Sequence, residues 1–257
     1  MMRTLSLATG TLIAALAFSI TDAQAASAIP KAITAAVADP ARPDADREAD
    51  ADRKPAESVA FAGVKSGQKV VDLLPGRGYF TRIFSDVVGS SGHVYAVPPP
   101  RRPNAPEGSP DPSAAVQAIA DDAHYKNVSV IVARVTDLKL PEPVDVIWTS
   151  RNYHDFHNIP NADVVAIDKA IFDALKPGGV YIVLDHAAEK GSGFRDTGTL
   201  HRVDPEAVKK EVESAGFKFV GQSEILRNAN DTHKDKVFDA TVKGKTDQFL
   251  LKFSKPK

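Results

Sequence analysis

The chain has 257 residues, with 32 Lys and Arg against 33 Asp and Glu, a net charge of -1 and no cysteine. This charge balance gives no electrostatic basis for binding nucleic acid or an anionic membrane. The absence of cysteine excludes disulfides and thiolate chemistry.

The first 25 residues have the features of an export signal. Arg3 supplies a positive start, residues 5–20 are uncharged and mostly apolar, and residues 23–25 fit a small-x-small cleavage site. The apolar run is shorter than the roughly 20 residues of a comfortable membrane span. The sequence therefore predicts a cleaved signal, no stable membrane insertion afterwards, and a periplasmic or secreted protein. A retained membrane anchor is the alternative.

Residues 26–46 are rich in Ala, Pro and Asp and predict a flexible leader, and residues 47–257 a single domain. Pro55 interrupts or restarts the first helix. Apolar runs and helical patterns then alternate. Strands are predicted at 69–74, 93–97, 128–133, 144–149, 180–184, 217–226 and 248–253, and helices at 79–88, 114–124, 162–175 and 204–215. This alternation predicts an α/β fold with a doubly wound, mostly parallel seven-stranded sheet.

Two loops carry strong turn signals. Residues 98–112 contain too many prolines for a helix or a central strand, and are interpreted as a surface insertion or as a lid that faces a substrate. Arg101 and Arg102 in this loop are interpreted as a solvated turn. Residues 176–179 predict the end of a helix followed by a turn.

The end of the first predicted strand is the most informative part of the sequence. An apolar run ends in Asp72, and Gly76 and Gly78 then form a Gly-x-Gly turn before a helical pattern. Glycines allow a sharp turn and a close approach of the backbone to a ligand. A turn of this kind forms a nucleotide-type pocket in a parallel α/β sheet.

Residues 72–78 resemble the first motif of the class I S-adenosylmethionine-dependent methyltransferases, an acid followed by a Gly-x-Gly-x-Gly turn. Residues 175–179 are similar to the family's entry into a late strand, and two strands after the last helix match its antiparallel edge. This resemblance covers residues 47–257. More narrowly, four segments are similar to a group of exported, predicted methyltransferases: residues 53–57, 151–155, 201–205 and 244–249.

The resemblance implies a Rossmann-like fold with an antiparallel C-terminal strand, S-adenosylmethionine as cofactor and a small-molecule or unknown methyl acceptor. The implied cofactor-binding positions are Asp72, Leu74, Gly76, Gly78, Tyr79, Pro98, Asp137 and Arg151. Three positions depart from the family pattern. Leu74 replaces its first glycine, Pro98 replaces the acid that receives the ribose hydroxyls, and Arg134 stands where an acid often receives the adenine amino group. Asp137 is a substitute for one of the missing acids.

A nicotinamide dinucleotide site is less consistent with the same turn. The third glycine of the dinucleotide fingerprint would fall at Thr81, and the ribose-binding acid about 20 residues further on is absent.

Ligands of open parallel sheets bind beyond the carboxyl ends of the strands. That position gathers the candidate catalytic residues Asn152, Tyr153, His154 and His186. The two histidines are candidate bases because imidazole titrates near neutrality, and Asn152 or Tyr153 would orient a substrate. The alternative is that Asn152 and Tyr153 only cap the fourth strand by hydrogen bonding.

The histidines also invite a metal hypothesis, since His154, Asp155, His157, Asp185, His186 and His201 are all potential ligands. A loop is predicted around His157, however, so the spacing fixes no common face and no metal is expected.

The favoured function is that of an S-adenosylmethionine-dependent methyltransferase. The alternatives are a non-catalytic exported ligand-binding protein on the same fold and, third, a metal-dependent enzyme.

Overall fold

The strands of the described region form one sheet in the computed structural model, which describes residues 28–257. They are β1 (Lys69–Leu73), β2 (His93–Val97), β3 (Val128–Val130), β4 (Val144–Ser150), β5 (Leu175–His186), β6 (Lys218–Ser223) and β7 (Gln248–Ser254). Their spatial order is β3-β2-β1-β4-β5-β7-β6. The first five strands are parallel, and β7 runs antiparallel to both β5 and β6. The predicted α/β fold with a mostly parallel seven-stranded sheet is confirmed.

Helices connect the strands and cover both faces of the sheet. They are α1 (Lys31–Val37), α2 (Asp44–Glu48), α3 (Asp50–Arg53), α4 (Pro55–Ala62), α5 (Tyr79–Val88), α6 (Ala114–Ala120), α7 (Tyr153–Phe156), α8 (Val164–Ala174) and α9 (Pro205–Ser214). The Asp204 carboxylate accepts a hydrogen bond from the Glu206 amide and so caps the N-terminus of α9. Within residues 28–257, no helix combines the length and the apolar character needed to cross a bilayer.

Two hydrophobic cores lie on opposite faces of the sheet. Successive side chains of a strand point to opposite faces, so Val71 and Leu73 join the cluster that includes α8 and α9. Val70 joins the other cluster, which includes α1, α4, α5 and α6. Burial on both faces explains why the parallel strands are almost continuously apolar. It also leaves the strand ends at one edge of the sheet as the place for polar side chains.

The described part of the predicted leader is ordered rather than flexible. Helix α1 buries Ile33 and Ala36 against the core that contains α5. The fully buried guanidinium of Arg42 pairs with Asp50 at 2.7 Å. Composition alone suggested a leader, but burial against α5 supplies the stability that a short helix lacks in isolation. The predicted signal, residues 1–25, lies outside the described residues.

Most element boundaries differ from the sequence prediction by a few residues, and the largest difference is at β5. The predicted turn at residues 176–179 lies inside this strand, which begins at Leu175. The β4–β5 register shifts between Val144 and Val146, and Gly178 has a φ of 79°. The turn residues therefore form an irregularity within the ladder, where glycine accepts the left-handed backbone conformation.

Candidate active site

A cavity of about 960 Å³ opens at the carboxyl edge of β1, β2 and β4. Protein pockets for small molecules typically measure about 300–1,000 Å³. Its wall is formed by residues 74, 76 and 77 after β1, residues 99–103 and 110–112 of the proline-rich loop, Ala115, residues 134–136 after β3, and residues 152, 155, 156 and 158–160 after β4. The proline-rich loop therefore forms part of the cavity wall. Arg101 and Arg102 line the cavity and are also exposed, as expected of solvated residues.

The two glycines of the turn after β1 have different surroundings and therefore different roles. Leu74, Gly76 and Gly78 all have positive φ, at 57°, 57° and 78°. A Cβ at Gly76 would meet nothing within 4 Å, and this residue lines the cavity. A Cβ at Gly78 would instead overlap Cδ1 of Ile119 in α6. Gly76 thus leaves room for a ligand, whereas Gly78 allows α6 to pack against the turn.

Asp72 lies at the end of β1 but does not belong to the cavity wall. Its side chain is buried, and its Oδ2 accepts a hydrogen bond of 2.6 Å from the Thr81 hydroxyl. Burial raises the pKa of Asp72 to about 7, against the opposing effects of the Thr81 hydrogen bond and the charge of Arg53. Asp72 therefore ties β1 to α5 and has the potential to change protonation near neutrality.

Two arginines near the turn have no carboxylate in direct hydrogen-bonding contact. The Arg53 guanidinium stacks 3.9 Å from the ring centroid of Tyr79, and Arg151 Nε donates to Gln248 Oε1 at 3.0 Å. Burial lowers the pKa of both arginines, that of Arg151 to about 10, and the charge of Arg53 lowers it further. Carboxylates affect both guanidiniums only at longer range. Two like charges held together without a direct anionic partner favour the binding of an anion.

A histidine cluster follows β4 and β5. The buried Asp185 carboxylate contacts His154 Nδ1 at 2.9 Å and accepts the His154 backbone N–H at 2.8 Å. His154 Nε2 then faces His201 Nδ1 at 3.3 Å and Asp155 Oδ1 at 3.5 Å. Burial opposes the charged form of His154, but the Asp185 carboxylate outweighs it and raises the pKa of the imidazole. Asp155 belongs to the cavity wall, so this cluster adjoins the cavity.

The other predicted catalytic residues occupy different settings. Asn152 lines the cavity, and its Nδ2 donates to the Leu74 carbonyl at 3.1 Å. Tyr153 is fully buried in the core, where its hydroxyl donates to Asp168 at 2.7 Å. His186 is 2.7 Å from Thr246 Oγ1, and burial lowers the pKa of His186 to about 3. Only Asn152 and His154 are thus placed beside the cavity and its wall.

Three further predicted cofactor positions, Pro98, Asp137 and Tyr79, do not line the cavity. Pro98 is buried, and its carbonyl accepts the Ala133 amide at 3.1 Å. Asp137 is exposed and outside the wall, whereas its neighbour Thr136 belongs to it. Tyr79 is buried and donates from its hydroxyl to Asp50 at 2.5 Å.

Sequence reasoning assigned no role to Arg53. It grouped His201 with His154 and Asp155 among six potential metal ligands, but it did not predict which of the six would be in contact. The available signal was weak. Arg53 lies in one of the four segments that resemble the exported group, and His201 begins another. Neither segment has a spacing that indicates a partner, because the contacts join parts of the chain that are distant in sequence.

Comparison with known proteins supports the family resemblance. The chain is 26% identical over 189 residues to the ubiquinone/menaquinone biosynthesis C-methyltransferase UbiE of Vibrio parahaemolyticus, covering 71% of this chain and 67% of that protein. A solved S-adenosylmethionine-dependent methyltransferase from Aquifex aeolicus superposes with a TM-score of 0.53 at 19% identity, over 76% of this chain and 86% of its own. No protein-family profile matches the sequence.

A third comparison extends the structural similarity. The arsenic(III) S-adenosylmethionine methyltransferase of Chlamydomonas reinhardtii superposes with a TM-score of 0.55 at 16% identity, over 89% of this chain and 74% of its own. The likeness to these solved structures establishes a shared fold. Together with the sequence similarity to the UbiE protein, this shared fold confirms the resemblance to the wider family. The narrower resemblance to an exported group stays a prediction.

Proposed function

We propose that this chain, a class I S-adenosylmethionine-dependent methyltransferase by fold and by sequence similarity, methylates a small molecule bound in the cavity of about 960 Å³. One observation carries the proposal. The cavity wall runs from the glycine turn after β1 to the polar side chains after β4, Asn152 and Asp155. A single space therefore joins the position expected for the cofactor to groups able to orient an acceptor.

The residues beside the turn fit the methionine half of the cofactor. Arg53 and Arg151, which are near the turn but outside the cavity wall, would hold its carboxylate, because both are half-buried and lack a carboxylate in direct hydrogen-bonding contact. Gly76 leaves room for the ligand to approach the backbone. Pro98 offers no side-chain acceptor to the ribose, so the hydroxyl of Thr136, in the cavity wall, is the candidate substitute.

When bound, the cofactor supplies an electrophilic methyl group, and the chain must hold the acceptor in line with it. Asn152 is suited to this because its hydrogen bond to the Leu74 carbonyl fixes its position relative to the cofactor turn. Of the two predicted bases, His154 is the candidate, since Asp185 holds its Nδ1 and leaves Nε2 facing Asp155 of the cavity wall. His186 is assigned a structural role through Thr246.

The wall also indicates the kind of acceptor. It combines apolar side chains, among them Leu74, Phe156 and Ile159, with four arginines and only two aspartates. The arginines are at positions 77, 101, 102 and 134, and the aspartates at positions 111 and 155. An apolar body with a negatively charged or strongly polar group is complementary to this surface. The relatives named for ubiquinone and menaquinone biosynthesis are consistent with an acceptor of this kind.

Calorimetric titration with S-adenosylmethionine and S-adenosylhomocysteine tests the cofactor site. We expect micromolar binding that Gly76→Val abolishes, because its side chain would enter the cavity. Gly191→Val is the matched control, since Gly191 also has positive φ and open space around its Cβ but lies outside the cavity wall. Absence of binding up to millimolar cofactor, or equal loss in both variants, would contradict the proposal.

We also propose that the protein is exported through its first 25 residues, as their composition predicts. Fractionation of the producing cells and N-terminal sequencing provide the test. A periplasmic or secreted chain that starts near residue 26 is expected. A cytoplasmic chain that retains Arg3 would refute export.

A further inference from the structure

We propose that His154, His201 and Asp155 form a binding site for one borderline divalent cation such as Zn²⁺. Three potential ligand atoms converge there: His154 Nε2, His201 Nδ1 and Asp155 Oδ1. Their separations are 3.3 Å between the two imidazole nitrogens, and 3.5 and 3.9 Å from these nitrogens to the carboxylate oxygen. The proposal does not depend on methyl transfer or on the cofactor.

These separations suit a first-row metal ion. Zinc binds imidazole nitrogen and carboxylate oxygen at about 2.0–2.2 Å, so tetrahedral ligands lie about 3.3–3.5 Å apart. Two of the three distances fall in this range, and the third needs a shift of a few tenths of an ångström. Two imidazoles and one carboxylate are a donor set that zinc and related cations prefer over Mg²⁺ or Ca²⁺.

Asp185 provides a second, independent observation. Its buried carboxylate contacts Nδ1 of His154 and accepts two backbone N–H groups, those of His154 and His186. The ring of His154 is thereby fixed with Nε2 toward His201 and Asp155. Metal-binding histidines typically have such a carboxylate or carbonyl partner on the other ring nitrogen, which orients the ring.

The site is accessible on one side. The side chain of His154 is 4% exposed, whereas those of His201 and Asp155 are 24% and 49% exposed. Asp155 also lines the cavity. Three protein ligands with an open side are the arrangement of zinc sites that retain a position for water or a substrate. With the cation bound, His154 acts as a ligand and not as a proton acceptor.

A hydrogen bond between the two histidines is the alternative explanation of their contact. Nδ1–H of His154 would then donate to Asp185, and His201 would donate to the free Nε2 of His154. A second cluster, Asp39, Asp86 and His124, competes as a metal site because its ligand atoms also lie within 4.8 Å of one another. It has two carboxylates and an exposed histidine, and we expect it to bind zinc less tightly.

Metal titration of the full, chelator-treated protein tests the site, with Zn²⁺ measured against a competing dye and Co²⁺ measured by its visible absorption. One equivalent is expected to bind. His201→Gln should weaken binding by about a hundredfold or more, because even an outer partner of a metal ligand contributes about ten- to a hundredfold. His157→Gln is the matched control. His157 directly follows α7, the helix that carries His154 and Asp155, but its side chain pairs with Glu211.

Asp155→Asn provides a second test on a half-exposed side chain, in case His201→Gln fails to fold by circular dichroism. Loss of the metal in either folded variant, with retention in His157→Gln, would support the site. Unchanged affinity in both variants, binding weaker than millimolar, or loss of the metal only in His124→Gln would overturn it.

Discussion

Gly78 is predicted to be much less tolerant of alanine than Gly76, although both belong to the same turn. Both have positive φ, at 78° and 57°. A Cβ in the left-handed region costs about 1–2 kcal/mol at either position. The two glycines differ in their surroundings, because only the Cβ at Gly78 would overlap the buried side chain of Ile119.

The expected magnitudes follow from this difference. Overpacking a well-packed core costs about 1–3 kcal/mol, so Gly78→Ala should destabilise the protein by about 2–5 kcal/mol in total. Gly76→Ala should cost about 1–2 kcal/mol. For a chain of this size, each kcal/mol lowers Tm by about 2–4 °C.

Urea denaturation and thermal melting of both variants measure these losses, with Ile119→Val as the diagnostic partner. Valine removes the overlapping Cδ1 at a cost of about 0.5–1.5 kcal/mol on its own. Gly78→Ala should therefore be less destabilising in the Ile119→Val background by about 1 kcal/mol or more, while Gly76→Ala should be additive with it. Equal losses for the two glycines, or additivity at Gly78, would refute the reasoning.

Three other substitutions test the buried polar groups. Arg202 and Asp231 form a fully buried ion pair at 2.8 Å. Arg202→Met leaves the Asp231 carboxylate buried without its charge partner, so it should lower the free energy of unfolding, measured in urea, by about 3–5 kcal/mol. Tyr153→Phe removes the hydroxyl that donates to Asp168 and should cost about 1–3 kcal/mol of stability, with cofactor affinity unchanged by calorimetry. Asp72 has a pKa raised by burial from 3.8 to about 7, so the folded state binds more protons than the unfolded state between these values and stability falls as pH rises. Asp72→Asn should remove this decline, about 4 kcal/mol at most, in denaturation curves from pH 4 to 8; a slope equal to that of the wild type would contradict the assignment.

Regular periodicity made the sheet predictable from the sequence. The run before Asp72 is apolar on both faces, and Asp204 with Pro205 has the side-chain chemistry of a helix start. Helix α1 was missed because a seven-residue helix has little intrinsic stability, and its order comes from burying Ile33 and Ala36. The extent of β5 was missed because the turn signal at residues 176–179 belongs to an irregularity within the strand.

The sequence by itself determined the α/β class, the strand order along the chain and the glycine turn, because these depend on local periodicity and on backbone conformations that few residues accept. The tertiary structure alone decided which side chains meet. Arg53 is brought close to Arg151, and His154 to His201, although these pairs are 98 and 47 residues apart in the sequence. Such contacts depend on how loops from separate strands meet at one edge of the sheet, and no local sequence pattern predicts which loops meet.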